Sequence, residues 1–441
     1  MMEKTSFNPG KTGMISWQLT LKIIFVGAVF IILLIPKLMI ISLMEERKTT
    51  AETAKSEVME KWSLAQSVRG PVLTIPVTET EKDGSDSPSA EVTRLCYFLP
   101  ESLNVEGKMI PHDRFRSIYK VVVYESEIRI SGTFNLPDTK ALQVSASRMD
   151  WNKAEISIAL SDLRGISNVA ELEWNGKKQL FSPGMDKKSL GTNGITLPLP
   201  LDPETSFPAT FHCVLHLKGS HSLQFAPLGE STTVKLSSTW NDPGFTGSFL
   251  PASYLVNAEG FSGEWKILHF NRNYPQAWKG EKFSMTASDF GVELVTIADQ
   301  YQKNIRSAKY GILVILFVFL SFFLYELITG ERIHPIQYAL TGFAIPIFYL
   351  LLLSISEHLG FNPAYLIASI SVLSLVFAYS RSFLKQWTSS ILLTLVLAVS
   401  FAFIFMLLQM ETYALLTGSI GLFLILGFTM FLTRKINWYS E

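Results

Sequence analysis

Five apolar runs crowd the chain between Tyr310 and Leu432, and a sixth lies near its start. A bilayer core takes about 20 apolar residues as helix, because hydrocarbon forces every backbone amide to find its partner inside the segment. The runs Leu19–Met44, Tyr310–Ile328, Ile336–Ile355, Pro363–Tyr379, Thr388–Leu408 and Tyr413–Leu432 meet that requirement. The sequence therefore predicts an α-helical polytopic membrane protein with six spans. The long interval from Glu45 to Arg306 has the mixed composition of a domain that folds in water.

The first run begins like a secretory signal, with Lys4, Lys11 and Lys22 ahead of the stretch Ile23–Ile35. Pro36 and Lys37 then lead into a further apolar stretch, and no small-residue cleavage site follows directly, so an uncleaved anchor is expected. Lys37 is placed to snorkel to the outer interface. Short loops set the orientation through their Lys and Arg. Arg332, then Arg381 with Lys385, then Arg434 with Lys435 occupy alternate connections, whereas 356–362 and 409–411 hold neither residue. Both termini are thus expected in the cytoplasm, with the large domain outside it, in the periplasm.

The chain carries 38 basic and 38 acidic residues, without a basic block, which argues against a nucleic-acid partner. Its two cysteines, Cys96 and Cys213, are too few for a disulfide framework or a cysteine-based zinc site. In an oxidising compartment they could pair, but spacing alone does not test the geometry. No cofactor is expected.

Within the outer region, Ala51, Ala54, Val58, Trp62 and Ala65 recur at helical spacing, which predicts an amphipathic juxtamembrane helix over 45–69. After Gly70-Pro71 the pattern becomes short β-branched runs punctuated by turn residues: Val72–Val77, Leu95–Leu99, Ile118–Tyr124, Ile128–Phe134, Ile156–Leu160, Phe211–Leu217 and Thr233–Thr239. Many strands without intervening helices predict a large all-β, sandwich-like domain over 70–306. The polar stretch Lys82–Glu91 reads as a flexible hairpin tip. The Pro-rich passage Gly194–Pro208 is either a break between two β subdomains or a long crossover within one. The remaining boundaries are a tail at 1–18, the anchor at 19–44, a five-helix block at 307–433 and a tail at 434–441.

Few constellations suggest chemistry. His212, Cys213 and His216 lie on one expected strand, where neighbours face opposite sides and residues four apart are about 13 Å distant, so they do not converge on a metal. Gly10-Lys11-Thr12 matches only the end of a phosphate-binding loop, because Thr5 stands where its first glycine belongs. No Asp occurs after Asp299, and His-Glu-x-x-His and Gly-x-Ser-x-Gly are both absent. An intramembrane or envelope enzyme is therefore poorly supported. Ionisable groups beside spans are functional candidates by default. These are Glu326, Arg332 and His334 on one side, with Glu357 and His358 on the other, and interfacial anchoring and capping is their simpler reading. Asp162-Leu163-Arg164-Gly165 reads as a turn closed by a local ion pair. Asp162, Arg164, Asp299, Gln300, Tyr301 and Arg306 are the candidates for coupling or interaction, the last four placed to couple the β domain to the spans.

Several separated segments resemble the CreD family of inner-membrane proteins of Gram-negative bacteria. They are Gly70-Pro71-Val72-Leu73-Thr74-Ile75-Pro76-Val77, Phe98-Leu99-Pro100-Glu101-Ser102-Leu103, Asp162-Leu163-Arg164-Gly165-Ile166, Gly247-Ser248-Phe249-Leu250-Pro251 and Asp299-Gln300-Tyr301-Gln302. The membrane passage adds His334-Pro335-Ile336-Gln337-Tyr338, Phe348-Tyr349-Leu350-Leu351-Leu352-Leu353, Ser356-Glu357-His358 and Phe431-Leu432-Thr433-Arg434. The resemblance implies a role in cell-envelope integrity and in stress responses governed by a two-component system, including responses to cell-wall-directed antibiotics. It carries over no catalytic residue. The expected function is non-enzymatic: a β domain that binds a periplasmic protein, wall or lipid partner, with spans that anchor it in the lipid bilayer. The alternative is a transporter or lipid-handling protein.

Overall fold

A computed structural model describes residues 12–81, 90–139, 142–294, 300–329, 333–384, 386–410 and 413–434. The chain divides into two compact units, one of residues 53–297 and the other of residues 1–52 with 298–441. The expected hairpin tip at 82–89 lies outside the described residues, as do Asp299, Arg332, Lys385 and Lys435.

The first helix, α1 (Thr12–Trp62), continues without a break from the anchor into the expected juxtamembrane helix. Pro36 lies inside it. The helix stops at Trp62 rather than running to residue 69, because Gln66, Ser67 and Val68 are taken up as a strand that pairs in parallel with Leu223, Gln224 and Phe225.

The β unit has strands β1 (Gln66–Glu81), β2 (Ala90–Phe98), β3 (Ser102–Arg116), β4 (Tyr119–Phe134), β5 (Glu155–Leu160) and β6 (Glu171–Trp174). Next come β7 (Lys177–Leu180), β8 (Ser182–Pro183), β9 (Gly194–Pro198), β10 (Ala209–Ser220), β11 (Ser222–Phe225) and β12 (Ser231–Ser238). The last are β13 (Pro243–Gly247), β14 (Ser253–Asn257), β15 (Gly260–Leu268), β16 (Ala277–Lys279) and β17 (Phe290–Leu294). They form two sheets. One has the order β13-β17-β11-β1-β5-β9-β8, with β2 pairing β1 and β16 pairing β2; the other runs β14-β15-β12-β3-β4-β10-β6-β7. Buried side chains of both sheets join in one hydrophobic core, with Val72, Ile75, Ile156 and Val292 from the first and Val105, Ile130, Leu215 and Trp265 from the second.

Strand alternation builds that core. In β10, Phe211, Cys213, Leu215 and Leu217 are buried while His212 and His216 face outward, as the period of two requires. The expected strands at 118–124 and 128–134 are one strand, β4, paired along fifteen positions with β3. The Pro-rich passage at 194–208 begins as β9 in the first sheet and ends at β10 in the second, so it is a crossover within one core. Gly70-Pro71 sits in the middle of β1, where the register against β5 shifts between Arg69 and Val72. A bulge is where a central strand tolerates proline, and a Cβ at Gly70 would come within 2.8 Å of the Ile158 backbone.

The helical unit adds α2 (Gln300–Thr329), α3 (Pro335–Leu359), α4 (Phe361–Phe383), α5 (Trp387–Gln409) and α6 (Ala414–Thr433). Among the described residues, α1 to α5 are long and apolar enough to cross a membrane, and α6 contributes a shorter apolar stretch at Leu416–Phe431. The second apolar helix begins at Gln300, ten residues before the expected Tyr310. Small residues let these helices approach closely. Leu33 of α1 seats against Gly342 of α3, and the Tyr349 ring lies over Gly311 of α2.

Candidate functional site

The structure brings the Asp162–Arg164 pair to the end of α1. Leu163–Gly165 is a single turn of 3-10 helix, capped by Asp162, whose carboxylate accepts from the Arg164 amide at 3.1 Å. The guanidinium returns to the same carboxylate, with Nε 3.0 Å from Oδ1 and Nη2 2.9 Å from Oδ2. Its third nitrogen, Nη1, donates to the carbonyl of Glu60 in the last turn of α1 at 2.5 Å. Helix ends leave their final carbonyls without intrahelical partners, and an arginine is a favourable donor there.

Asp162 holds the outgoing chain as well. Its Oδ2 accepts from the Leu64 amide at 2.9 Å and from the Ser63 hydroxyl at 3.3 Å. The buried Gln66 amide donates to the Asp162 carbonyl at 2.8 Å and to Ser63 Oγ at 2.9 Å. Ser220 Oγ adds a bond to the Ser63 carbonyl at 2.8 Å. Gly165 completes the motif, since a Cβ there would collide with Gln66 Nε2 and the Lys218 carbonyl. Trp62, the last helical residue, donates its indole N–H to the Tyr124 carbonyl at 3.4 Å, and Arg114 and Lys218 each lie over its ring, under 5 Å from the ring centre. Burial by itself raises the Asp162 carboxyl, but the Arg164 hydrogen bond and the Leu64 and Arg164 amides outweigh it and hold the pKa at about 2. The carboxylate is therefore a permanent anion in a clasp and not a proton carrier.

In the helical unit, two of the predicted residues meet. Tyr301, on the first turn of α2, donates to Glu357 Oε1 near the end of α3 at 3.1 Å. One turn further on, Asn304 donates to Ser356 Oγ at 2.7 Å, with both residues fully buried. The sequence holds only a faint signal for this second bond, an asparagine one helical turn after Tyr301 among other polar residues. Glu326 accepts from the Ile333 amide and from the Tyr338 phenol, so it ties the α2–α3 connection to α3. His334 is the N-cap of α3, its Nδ1 accepting from the Ile336 amide at 3.3 Å, while Gln337 reaches back to the His334 amide. His358 is exposed, and Gln300 and Arg306 are half-buried on α2. These contacts are caps and helix-to-helix bonds.

A family model described as "Inner membrane protein CreD" matches residues 18–439. The inner membrane protein CreD of Escherichia coli (strain K12) is 34% identical over 424 residues, which cover 94% of this chain and 92% of that protein. The chain belongs to the CreD family. It is accordingly a multi-pass inner-membrane protein with a large β-sheet domain.

Two further ion pairs of this CreD-family chain are buried or half-buried within the β unit, and a buried arginine there meets carbonyl oxygens alone. Arg69 grips Asp289 through Nε at 2.9 Å and Nη2 at 2.5 Å, and Ser67 donates to the same carboxylate at 2.8 Å. Lys187, 3% exposed, reaches Glu155 and Ser157 at 2.7 Å each. Arg272 donates to the carbonyls of Tyr274, Pro275 and Leu228, and burial draws its pKa down to about 10. A basin of about 810 Å³ opens on the outer face of the second sheet, floored by Glu106, Lys108, Glu127, Arg129, Lys235 and Glu264. Register places these charges in alternating order, Glu264, Lys235, Glu106 and Arg129 standing opposite one another on successive strands. Such cross-strand pairs stabilise the sheet itself, and the basin includes neither Arg69–Asp289 nor Lys187–Glu155. Among the described residues no three His, Cys, Asp or Glu side chains converge for a metal ion.

Cys96 and Cys213 are free buried thiols on β2 and β10, in different sheets. Burial pushes their pKa values up to about 11 and about 12, so both are inert as nucleophiles.

Proposed function

We propose that this chain protects the cell envelope without catalysis, as a mechanical link between a partner-binding β domain and the inner membrane. In this reading it crosses the membrane six times with both termini in the cytoplasm, and its β domain binds a periplasmic protein, wall or lipid component. Loop charge supports the orientation, with Arg381 and Arg434 on the inner side. The observation that carries the proposal is the clasp at the end of α1. A helix unbroken from Thr12 to Trp62 transmits axial or bending load, and the Asp162–Arg164 turn binds the Glu60 carbonyl of its last turn and the residues that follow.

The test replaces Lys48–Glu52 by five glycines, which keeps the chain length and the anchor but removes the rigidity of α1. Loss of survival under a cell-wall-directed antibiotic, at unchanged protein level in the membrane, is expected. Full protection by that variant overturns the mechanical reading.

A second reading, transport or lipid handling, has one observation in its favour. An apolar groove of about 830 Å³ is lined by α2, α5 and α6, including Phe317, Leu324, Leu392, Phe403 and Leu424, and it has the chemistry of an acyl-chain site. This reading expects Glu326→Gln or Glu357→Gln to abolish protection while the protein level is retained. Unchanged protection in both variants removes it.

A further inference from the structure

The strands that end the two sheets differ in how they are guarded. An open edge exposes unpaired amides and carbonyls that template pairing with another strand, and proteins blunt such edges with lysine, proline or extreme shortness. Here β7 carries Lys177 and Lys178, β8 is two residues long and ends in Pro183, β13 begins with Pro243 and contains two glycines, and the three-residue β16 ends in Lys279. β14 has none of these devices. Its sequence is Ser253-Tyr254-Leu255-Val256-Asn257, all five residues are exposed, and among the described residues its ladder partner is β15 alone. Tyr254 and Leu255 are 66% and 62% exposed, an apolar pair on an unguarded edge.

The chemistry of the strand indicates what covers it. If a second β14 pairs with it antiparallel about a two-fold axis at Leu255, Tyr254 stands opposite Val256 of the other copy, twice. Ser253 stands opposite Asn257, also twice, and Leu255 meets its own equivalent. Aromatic with β-branched is a favourable cross-strand pair, the two leucines bury apolar surface against each other, and no like charges meet. The faces agree: register against β15 puts Ser253, Leu255 and Asn257 on one side and Tyr254 and Val256 on the other.

We propose that two copies of this chain join edge to edge through β14, in an isologous contact that makes the two eight-stranded sheets continuous. A stable pair meeting in free solution buries roughly 1,200–2,000 Å², more than a five-residue strand supplies. Chains confined to one membrane meet at a raised effective concentration, so the contact belongs to the membrane-embedded protein.

Directly opposed residues of an antiparallel pair lie about 4.5–5.5 Å apart at Cα, within the range a disulfide spans. The native thiols are buried, so an introduced cysteine reports cleanly. The test is Leu255→Cys in the full chain, in isolated membranes treated with copper–phenanthroline as oxidant and read on a non-reducing gel. A shift to twice the monomer mass is expected. Ser253→Cys alone should stay monomeric and Ser253→Cys with Asn257→Cys should dimerise, whereas adding Leu255→Lys to that double variant should abolish the dimer. Three results overturn the proposal: a monomer from Leu255→Cys, an adduct with a different protein, or equal dimer from Val169→Cys, an exposed position on another part of the domain.

Discussion

Arg164 and Glu60 are 104 residues apart in the chain, yet the guanidinium of one donates to the carbonyl of the other at 2.5 Å. The same guanidinium is held by Asp162, so one side chain joins the end of a helix to a turn of the β domain. What the pair contributes is geometric. It fixes where the helix stops and the direction in which β1 starts.

Removing the two partners should therefore have unequal effects. Asp162→Ala leaves the Leu64 amide, the Arg164 amide and the guanidinium without their acceptor and should cost about 3 kcal/mol. Arg164→Ala leaves the carboxylate with its backbone donors and should cost about 1 kcal/mol. Urea melts followed by tryptophan fluorescence measure both, and equal losses would mean that the backbone amides contribute nothing.

The clasp also makes stability depend on acid. The folded Asp162 carboxyl titrates at about 2, below its ordinary 3.8. Its contribution is thus complete above about pH 4 and is lost as pH falls through the folded value. Between pH 5 and pH 2 the parent chain should lose about 2 kcal/mol more than Asp162→Asn, read from urea midpoints at each pH.

Cys96 and Cys213 should resist a maleimide reagent in the native protein and react in full once the domain is unfolded in denaturant. Burial and the raised pKa both suppress the thiolate that reacts. Mass spectrometry counts the adducts, and rapid native labelling of either cysteine would contradict the packing described.

In the helical unit, Gly342→Leu should be far more damaging than Asn304→Ala. The glycine is the seat of Leu33, so a larger side chain must separate α1 from α3. The asparagine contributes one interhelical hydrogen bond, worth about 0.6 kcal/mol in a membrane protein. Thermal stability in detergent should rank the two variants, and the reverse order would refute the seat.

Some of this was legible in the residues. The alternation of β10 and the turn at Asp162-Leu163-Arg164-Gly165 depend on neighbours close in sequence, and so do the apolar runs, although the second helix begins ten residues before its run and the sixth supplies a shorter apolar stretch. The 15-residue β3 escapes a reading by alternation because Gly107, Pro111 and five charged residues obscure its pattern, although Leu103, Val105 and Met109 are buried on one face. The helix after the anchor ends sooner than its spacing predicts, because Ala65 continues the helical spacing while Gln66 is claimed by β11, more than 150 residues away in sequence.

The division between apolar helices and β structure is written locally in the chain, since solvent preference and side-chain period are properties of neighbouring residues. The fold sets the rest: anchor and stalk are one helix, Arg164 closes its end, Tyr301 meets Glu357, and β14 is an open edge among the described residues. Those facts rest on which distant segments pair, and a hydrogen bond across 104 residues leaves no periodic trace in the chain.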